Sequence, residues 1–164
     1  LAPKSMEICF SREKTLLETA GGIAKALPLV KESTFAVING DIYTYYDFME
    51  LKHRIMDIDR NANISGHLVL VKNPVHNIEG DFSLEKNLVI ARGKHHLTFS
   101  GISVLKSQMF TKVSTNVPSR LLPLLHEAIT KKKITGSFYS GGWFDIGTPQ
   151  RLNTLETHLM ESLK

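Results

Sequence analysis

Segments of strand character and segments of helical character alternate along the whole 164-residue chain, and nothing else in the sequence restricts the fold as much. Residues 6–10 read as a short strand. Ala20-Gly21-Gly22 reads as a tight loop leading into a helix over 23–29, which Pro28 ends or tightens. Residues 35–38 form an apolar run of the kind a sheet buries on both faces. Beyond it Phe48, Leu51, Ile55 and Ile58 recur at helical spacing while Asp47, Glu50, Lys52 and Arg54 take the other positions, so one helix face packs on a core. Residues 67–71 are the next strand, closed by Asn73-Pro74. Residues 81–84 and 88–90 flank Glu85-Lys86-Asn87 as a hairpin would. The strand over 97–105 contains Gly101, the mark of a bulge or of a ligand's close approach. Leu121, Leu125 and Ala128 line a second amphipathic helix that starts near Pro118-Ser119. Strands over 134–139 and 143–146 follow. Thr148-Pro149 then opens a last helix whose buried stripe is Leu152, Leu155, Leu159 and Leu163. Helices between strands are the usual crossovers of parallel neighbours, so the expected architecture is an α/β layer fold with a mostly parallel sheet. With no linker, repeat or low-complexity stretch, residues 1–164 read as one domain.

Composition narrows the partners. An apolar share of 42% with 22% charged residues is that of an ordinary globular protein with a real core. The formal charge is only +4, and the single basic run, Lys131-Lys132-Lys133, reads as a solvated helix end rather than a nucleic-acid patch. A small phosphate-bearing substrate suits that mild balance. Cys9 stands alone, which excludes an internal disulfide, agrees with a reducing compartment, and reads as a buried small residue. No apolar stretch approaches the ~18 residues of a membrane span and no basic-then-apolar leader opens the chain, so the expectation is a cytoplasmic protein without membrane or nucleic-acid contact.

Two acidic residues carry the chemistry. Asp41 ends Phe35-Ala36-Val37-Ile38-Asn39-Gly40-Asp41, and Asp145 lies 104 positions later in Gly142-Trp143-Phe144-Asp145-Ile146-Gly147-Thr148-Pro149. An Asp just past a buried strand is fixed by the sheet yet open to ligand, and two of them can hold one Mg²⁺ against phosphate. Each has a plainer reading: Asn-Gly-Asp is a common turn, and Asp145 can serve as a turn residue before a helix start. Adjacent His95 and His96 point to opposite faces of a strand, so they do not grip one ion together. Trp143 reads as core or pocket wall, with core favoured.

Taken in order, Leu17-Glu18-Thr19-Ala20-Gly21-Gly22, Asn39-Gly40-Asp41, Thr98-Phe99-Ser100-Gly101-Ile102 and the segment from Trp143 to Pro149 resemble the sugar-1-phosphate nucleotidyltransferase family over essentially the whole chain. Within it the likeness is to the bacterial N-acetylmuramate-1-phosphate uridylyltransferases of peptidoglycan recycling and to mannose-1-phosphate guanylyltransferase-like proteins. The resemblance implies a Rossmann-like nucleotide-diphospho-sugar transferase fold, a nucleoside triphosphate and a sugar-1-phosphate as reactants, and Mg²⁺ held by Asp41 and Asp145. It implies nucleotide contact for Glu18, Thr19, Ala20, Gly21 and Gly22, with Asn39 and Gly40 beside the metal. On the sugar side it implies Gly80 and Gly101, with the Asn73-Pro74 turn offering an amide to a hydroxyl. Glu85-Lys86-Asn87 matches the family's Glu-Lys-Pro only superficially and reads as a hairpin turn.

One departure is large: the family's opening strand and its Gly-x-Gly-Thr-Arg phosphate loop have no counterpart among these residues. The expectation is a rear part of the catalytic domain, inactive alone, whose sheet lacks a central strand. Such an edge seeks a partner, so a homodimer across it is expected. UTP is the favoured nucleotide, with guanylyl transfer to mannose-1-phosphate as the rival. A non-catalytic nucleotide-sugar-binding module is a further alternative, and a glycosyltransferase a weaker one.

Overall fold

The computed structural model describes residues 7–162. In chain order its elements are helix α1 (Glu18–Val30), strands β1 (Thr34–Ile38) and β2 (Ile42–Thr44), and helix α2 (Met49–Arg60). Strands β3 (Gly66–Val71), β4 (Phe82–Glu85), β5 (Leu88–Ile90) and β6 (His96–Lys106) follow. Helix α3 (Leu121–Thr130), strands β7 (Ile134–Phe138) and β8 (Trp143–Asp145), and helix α4 (Pro149–Ser162) complete the chain, with short 3-10 turns at Val75–Asn77 and Ser107–Phe110. Of the strand expected over 6–10, the described residues 7–10 take no regular structure, and Cys9 is exposed rather than buried. Leu163 of the last stripe lies outside the described residues; of the rest, Leu155 is buried and Leu152 is exposed.

The main sheet runs β1-β6-β3-β7-β5-β4, and β4 pairs back onto β6. It is not mostly parallel: β3–β7 is the one parallel ladder described, and the others are antiparallel. The reason lies in the connections. No helix separates β4, β5 and β6, so β4 and β5 meet as a hairpin and reverse direction, as the Glu85-Lys86-Asn87 turn predicts, with Lys86 at φ 55°. The long strand β6 then inserts antiparallel between β1 and β3. Strands β1, β3 and β7 still share one direction, because β1 and β3 both oppose β6 and β7 runs with β3. The start of β6 pairs with β4 while its end pairs with β1, which curls part of the sheet closed.

Strand β3 is the centre of the molecule, with every residue buried. Its period of two sends Leu68 and Leu70 into a core with α1 and α3, through Ala20, Ala24, Leu121 and Leu125, and sends Val69 into a second core with Leu51 and Ile58 of α2. Full burial of a leucine such as Leu125 contributes about 1.5–3 kcal/mol. Strand β1 differs from expectation. Phe35 is buried and meets the Phe110 ring at 6.1 Å, but Ala36 and Ile38 are exposed. Among the described residues β1 pairs with β6 alone, so it is an edge strand with one face only partly covered.

Helix α1 begins earlier than the glycine pair led one to expect. The carbonyl of Ser119 accepts the N–H groups of Ala20 (2.9 Å) and Gly21 (3.2 Å), so donors that a helix start leaves orphaned are satisfied by a distant segment and 18–22 become its first turn. Pro28 stands in the last turn, and Lys31 in the left-handed region (φ 61°) closes the helix with its N–H on Leu27. Among the described residues no helix is long and apolar enough to cross a membrane.

Candidate metal and substrate site

The two aspartates meet because of a ladder that their separation in sequence conceals. Strands β2 and β8 form a two-stranded antiparallel ribbon in which Ile42 faces Asp145, and the N–H of Ile146 donates to the carbonyl of Asp41 at 2.9 Å. Asp41, in the turn that enters β2, and Asp145, the last residue of β8, are therefore brought to the same end of the ribbon. Both line one cavity of about 310 Å³ with Asn39, His76, Asp81 and Trp143. Trp143 is a wall of that cavity, half-buried, with its indole N–H donating to Ser100 at 2.9 Å; it is not part of either hydrophobic core.

Gly147 shows how close the carboxylates come. A Cβ on this glycine would lie 2.9 Å from Asp41 Oδ2, 3.2 Å from Asp145 Oδ1 and 3.0 Å from Arg151 Nη2. The two oxygens are thus within about 6 Å of each other across a point the missing side chain leaves open. Asp145 is engaged on both sides. Its Oδ1 accepts from the Gly147 N–H (2.9 Å) and from Arg151 Nη2 (3.1 Å), and its Oδ2 accepts from His76 Nε2 (3.1 Å). The expected helix start holds: Thr148 Oγ1 accepts the N–H of Arg151 at 3.3 Å, which aims the first turn of α4 back toward the carboxylates.

A divalent cation suits this donor set. Two hard carboxylate oxygens face the gap above Gly147, and Mg²⁺ takes one or two carboxylates, keeps several waters and fills its shell with substrate phosphate. Among the described residues no three His, Cys, Asp or Glu side chains gather to cage an ion. An ion held by two carboxylates and phosphate does not require them.

The other expected site residues divide. Asn39 lines both this cavity and an adjoining one of about 300 Å³, which Glu18, Thr19, Asp81, Phe99 and Arg120 also line. Glu18 has φ 59°, so the chain turns sharply as it enters α1. Ala20, Gly21 and Gly22 do not reach either cavity. Ala20 is fully buried, a Cβ on Gly21 would meet Leu17 and the Val117 carbonyl, and one on Gly22 would meet Glu13. Gly21 is thus closed in by Leu17 and Val117, and Gly22 faces the Glu13 carboxylate. Gly40 is exposed in the turn between β1 and β2, with open space around its Cβ position.

On the expected sugar side Asn73 is spent on its own loop. Its Nδ2 donates to the carbonyls of Ile78 (3.0 Å) and His96 (3.1 Å), and its Oδ1 accepts from Thr98 Oγ1 (3.0 Å). Gly80 at φ 66° packs against that same Asn73 side chain and lines neither cavity. Gly101 does line the cavity, in a left-handed conformation (φ 79°) where the β3–β6 register shifts, so the bulge is present. What approaches it is Asn39, 2.9 Å from its Cβ position, whose N–H also donates to the Gly101 carbonyl.

Three polar residues were not singled out from sequence. Asp81 borders both cavities, its carboxylate fixed by the Phe99 N–H (2.8 Å) and Asn77 Nδ2 (3.2 Å). His76 sits in the turn after Asn73-Pro74 and Arg151 in the first helical turn after Thr148, positions where a polar residue is unremarkable until Asp145 is seen beside it.

No family model matches the chain. A curated relative, the N-acetylmuramate alpha-1-phosphate uridylyltransferase of Neisseria meningitidis serogroup B, is 39% identical over 139 residues, which is 83% of this chain and 59% of the relative. The chain thus spans about three-fifths of that relative's length. Among solved structures, a UDP-glucose pyrophosphorylase from Acinetobacter baumannii superposes with a TM-score of 0.70 at 14% identity, over 99% of this chain and 68% of that one. The inositol-1-phosphate CTP transferase from T. maritima gives a TM-score of 0.67 at 17% identity, over 92% of this chain and 64% of that one. At such identities the structures speak for the fold alone, an α/β arrangement on a mixed sheet. In sequence the chain is thus similar to a sugar-1-phosphate nucleotidyltransferase, and in fold to structures that include a pyrophosphorylase and a CTP transferase.

Proposed function

We propose that this site serves Mg²⁺-dependent nucleotidyl transfer from a nucleoside triphosphate, UTP in first place, to a sugar-1-phosphate, N-acetylmuramate-1-phosphate in first place, giving a nucleotide-sugar and pyrophosphate. The observation that carries the reading is the convergence of Asp41 Oδ2 and Asp145 Oδ1 over Gly147 inside a polar cavity. The sequence likeness to a uridylyltransferase favours UTP and the N-acetylmuramate sugar over GTP and mannose.

In the reaction an ionised oxygen of the sugar phosphate bonds to the α-phosphorus while the bond from that phosphorus to the β-phosphate oxygen breaks. No proton has to move, so positioning and charge neutralisation are the main demands. Mg²⁺ would supply that neutralisation, and Asp41 and Asp145 would hold it. His76 on the far oxygen of Asp145 orients the carboxylate. The nucleotide belongs over Glu18 and Thr19 in the adjoining cavity, whereas Ala20, Gly21 and Gly22 support it from below as helix packing. Asp81 stands between the two cavities as a fixed acceptor for hydroxyl groups, a role that replaces the one expected of Asn73 and Gly80.

The test is pyrophosphate release by a protein carrying this chain together with the remaining length of a relative's catalytic domain. UTP with N-acetylmuramate-1-phosphate and Mg²⁺ is compared with GTP and mannose-1-phosphate. Turnover lost by at least about a hundredfold in Asp145→Asn and in Asp41→Asn is expected, the usual scale for an electrostatic group of the reaction. Unaltered turnover in either variant refutes the metal assignment. Tight binding of the nucleotide-sugar without turnover favours a non-catalytic module instead.

A further inference from the structure

We propose that Arg151 is the resting counter-ion of the metal position, displaced from Asp145 when a divalent cation binds and thereby freed to hold phosphate. The inference rests on the metal reading above. Three atoms crowd one point: Asp41 Oδ2, Asp145 Oδ1 and Arg151 Nη2 lie 2.9, 3.2 and 3.0 Å from the Cβ position of Gly147. An ion bound to Asp145 Oδ1 competes with Nη2 for the same oxygen and carries charge of the same sign. Both cannot remain on Asp145 Oδ1, and the divalent ion, with the larger charge and two anionic ligands, displaces the guanidinium.

The two partners of Asp145 differ in what they are built to do. His76 bonds the other oxygen, Oδ2, so it can stay and keep the carboxylate oriented while Oδ1 changes partner. Arg151 is loosely committed. Among the described residues its guanidinium makes one contact, the 3.1 Å bond to Oδ1, while its Nε is buried without a hydrogen-bond partner. Its backbone is nonetheless pinned, with the N–H on Thr148 Oγ1, so the side chain can swing about a fixed base. A guanidinium released beside a metal-bound phosphate has several free N–H donors in a planar fork, the geometry that phosphate oxygens accept. The exchange leaves no naked carboxylate in the empty site and brings the second cation into play only when the anions arrive.

Mn²⁺ serves as the paramagnetic probe, titrated into the intact chain and followed by electron paramagnetic resonance, with thermal melts confirming that each variant is folded. Arg151→Gln is expected to bind Mn²⁺ about two- to fivefold more tightly than the unaltered chain, since the competing ion pair is half-buried, rests on a single hydrogen bond and is of modest strength. Arg151→Lys, which keeps the charge, is expected to stay near the unaltered affinity. With Mn²⁺ saturating, calorimetric affinity for pyrophosphate is expected to fall about tenfold in Arg151→Gln, the scale of a charge-assisted bond. A brace that merely positions Asp145 gives the opposite sign: Mn²⁺ affinity unchanged or weakened in Arg151→Gln overturns the exchange while leaving the metal site standing. Pyrophosphate affinity unmoved by the same variant overturns the anion-holding role. Mn²⁺ affinity that ignores Asp41→Asn overturns the metal reading and the exchange together.

Discussion

His67 sets an acid limit on the stability of the sheet. It lies on the central strand β3, only 3% exposed, with Nδ1 2.9 Å from Thr135 Oγ1 and Nε2 3.0 Å from Ser137 Oγ on the parallel neighbour β7. Thr135 also donates to the Gly66 carbonyl, at 3.3 Å, so its oxygen is left to accept, which assigns the ring proton to Nδ1 and makes Nε2 the acceptor from Ser137. A second proton finds no anion in contact. Burial, reinforced by the positive charge of Arg54 and opposed by Asp57, lowers the imidazole from the ordinary 6.5 to about 4. The unfolded chain therefore takes up a proton over a range in which the folded chain refuses it. The associated stability is fully present above 6.5 and is lost as pH falls toward the folded value, at about 1.4 kcal/mol per pH step. Between about pH 7.5 and about pH 5 the loss amounts to about 2 kcal/mol. Urea unfolding of the unaltered chain and of His67→Gln at both pH values isolates this contribution, because the carboxylates contribute equally to the two proteins. The unaltered chain is expected to lose about 2 kcal/mol more than the variant. Equal losses, within about 0.5 kcal/mol, refute the reasoning.

Two glycines give opposite predictions. Gly147→Ala puts a methyl group among the ends of three flexible side chains, so unfolding stability is expected to move by less than about 1 kcal/mol while Mn²⁺ affinity, by paramagnetic titration, falls about tenfold or more. Gly101→Ala forces a side chain onto a backbone at φ 79° with Asn39 at 2.9 Å, and is expected to lower the stability measured by urea by about 1–3 kcal/mol.

How far the sequence could be read depended on whether a feature was written in one segment or in the meeting of two. Periodicity is local, and so the α2 face at Leu51 and Ile58, the hairpin at Lys86 and the helix start at Thr148 are all where the residues put them. Strand direction is not local. Alternating helices and strands raise the odds of a parallel sheet, but nothing within residues 96–106 encodes that the strand runs against β1, β3 and β4, and that one strand makes three of the antiparallel ladders. The same division runs through the site. A glycine within a strand announced a bulge at Gly101, yet whether ligand or protein fills the space depends on the β1–β6 pairing that brings Asn39 there. The pair at Gly21 and Gly22 looked like a loop because the carbonyl that makes it a helical turn belongs to Ser119, nearly a hundred residues on.

Asp41 and Asp145 were legible only as a pair: each alone has a plain turn reading, and the two together, each just past an apolar run, suggest a shared site. His76 and Arg151 had no such signal, since their significance lies wholly in the carboxylate they share. That carboxylate explains why the acidic site is not simply left bare. Two aspartates facing one gap repel each other until something positive intervenes, and here a guanidinium from helix α4, which begins at Pro149, lies beside the same glycine. The two aspartates proposed to attract a cation are thus visible in sequence as a pair, whereas the arginine proposed to hold its place becomes visible only after the β2–β8 ladder has brought three chain segments to a single glycine.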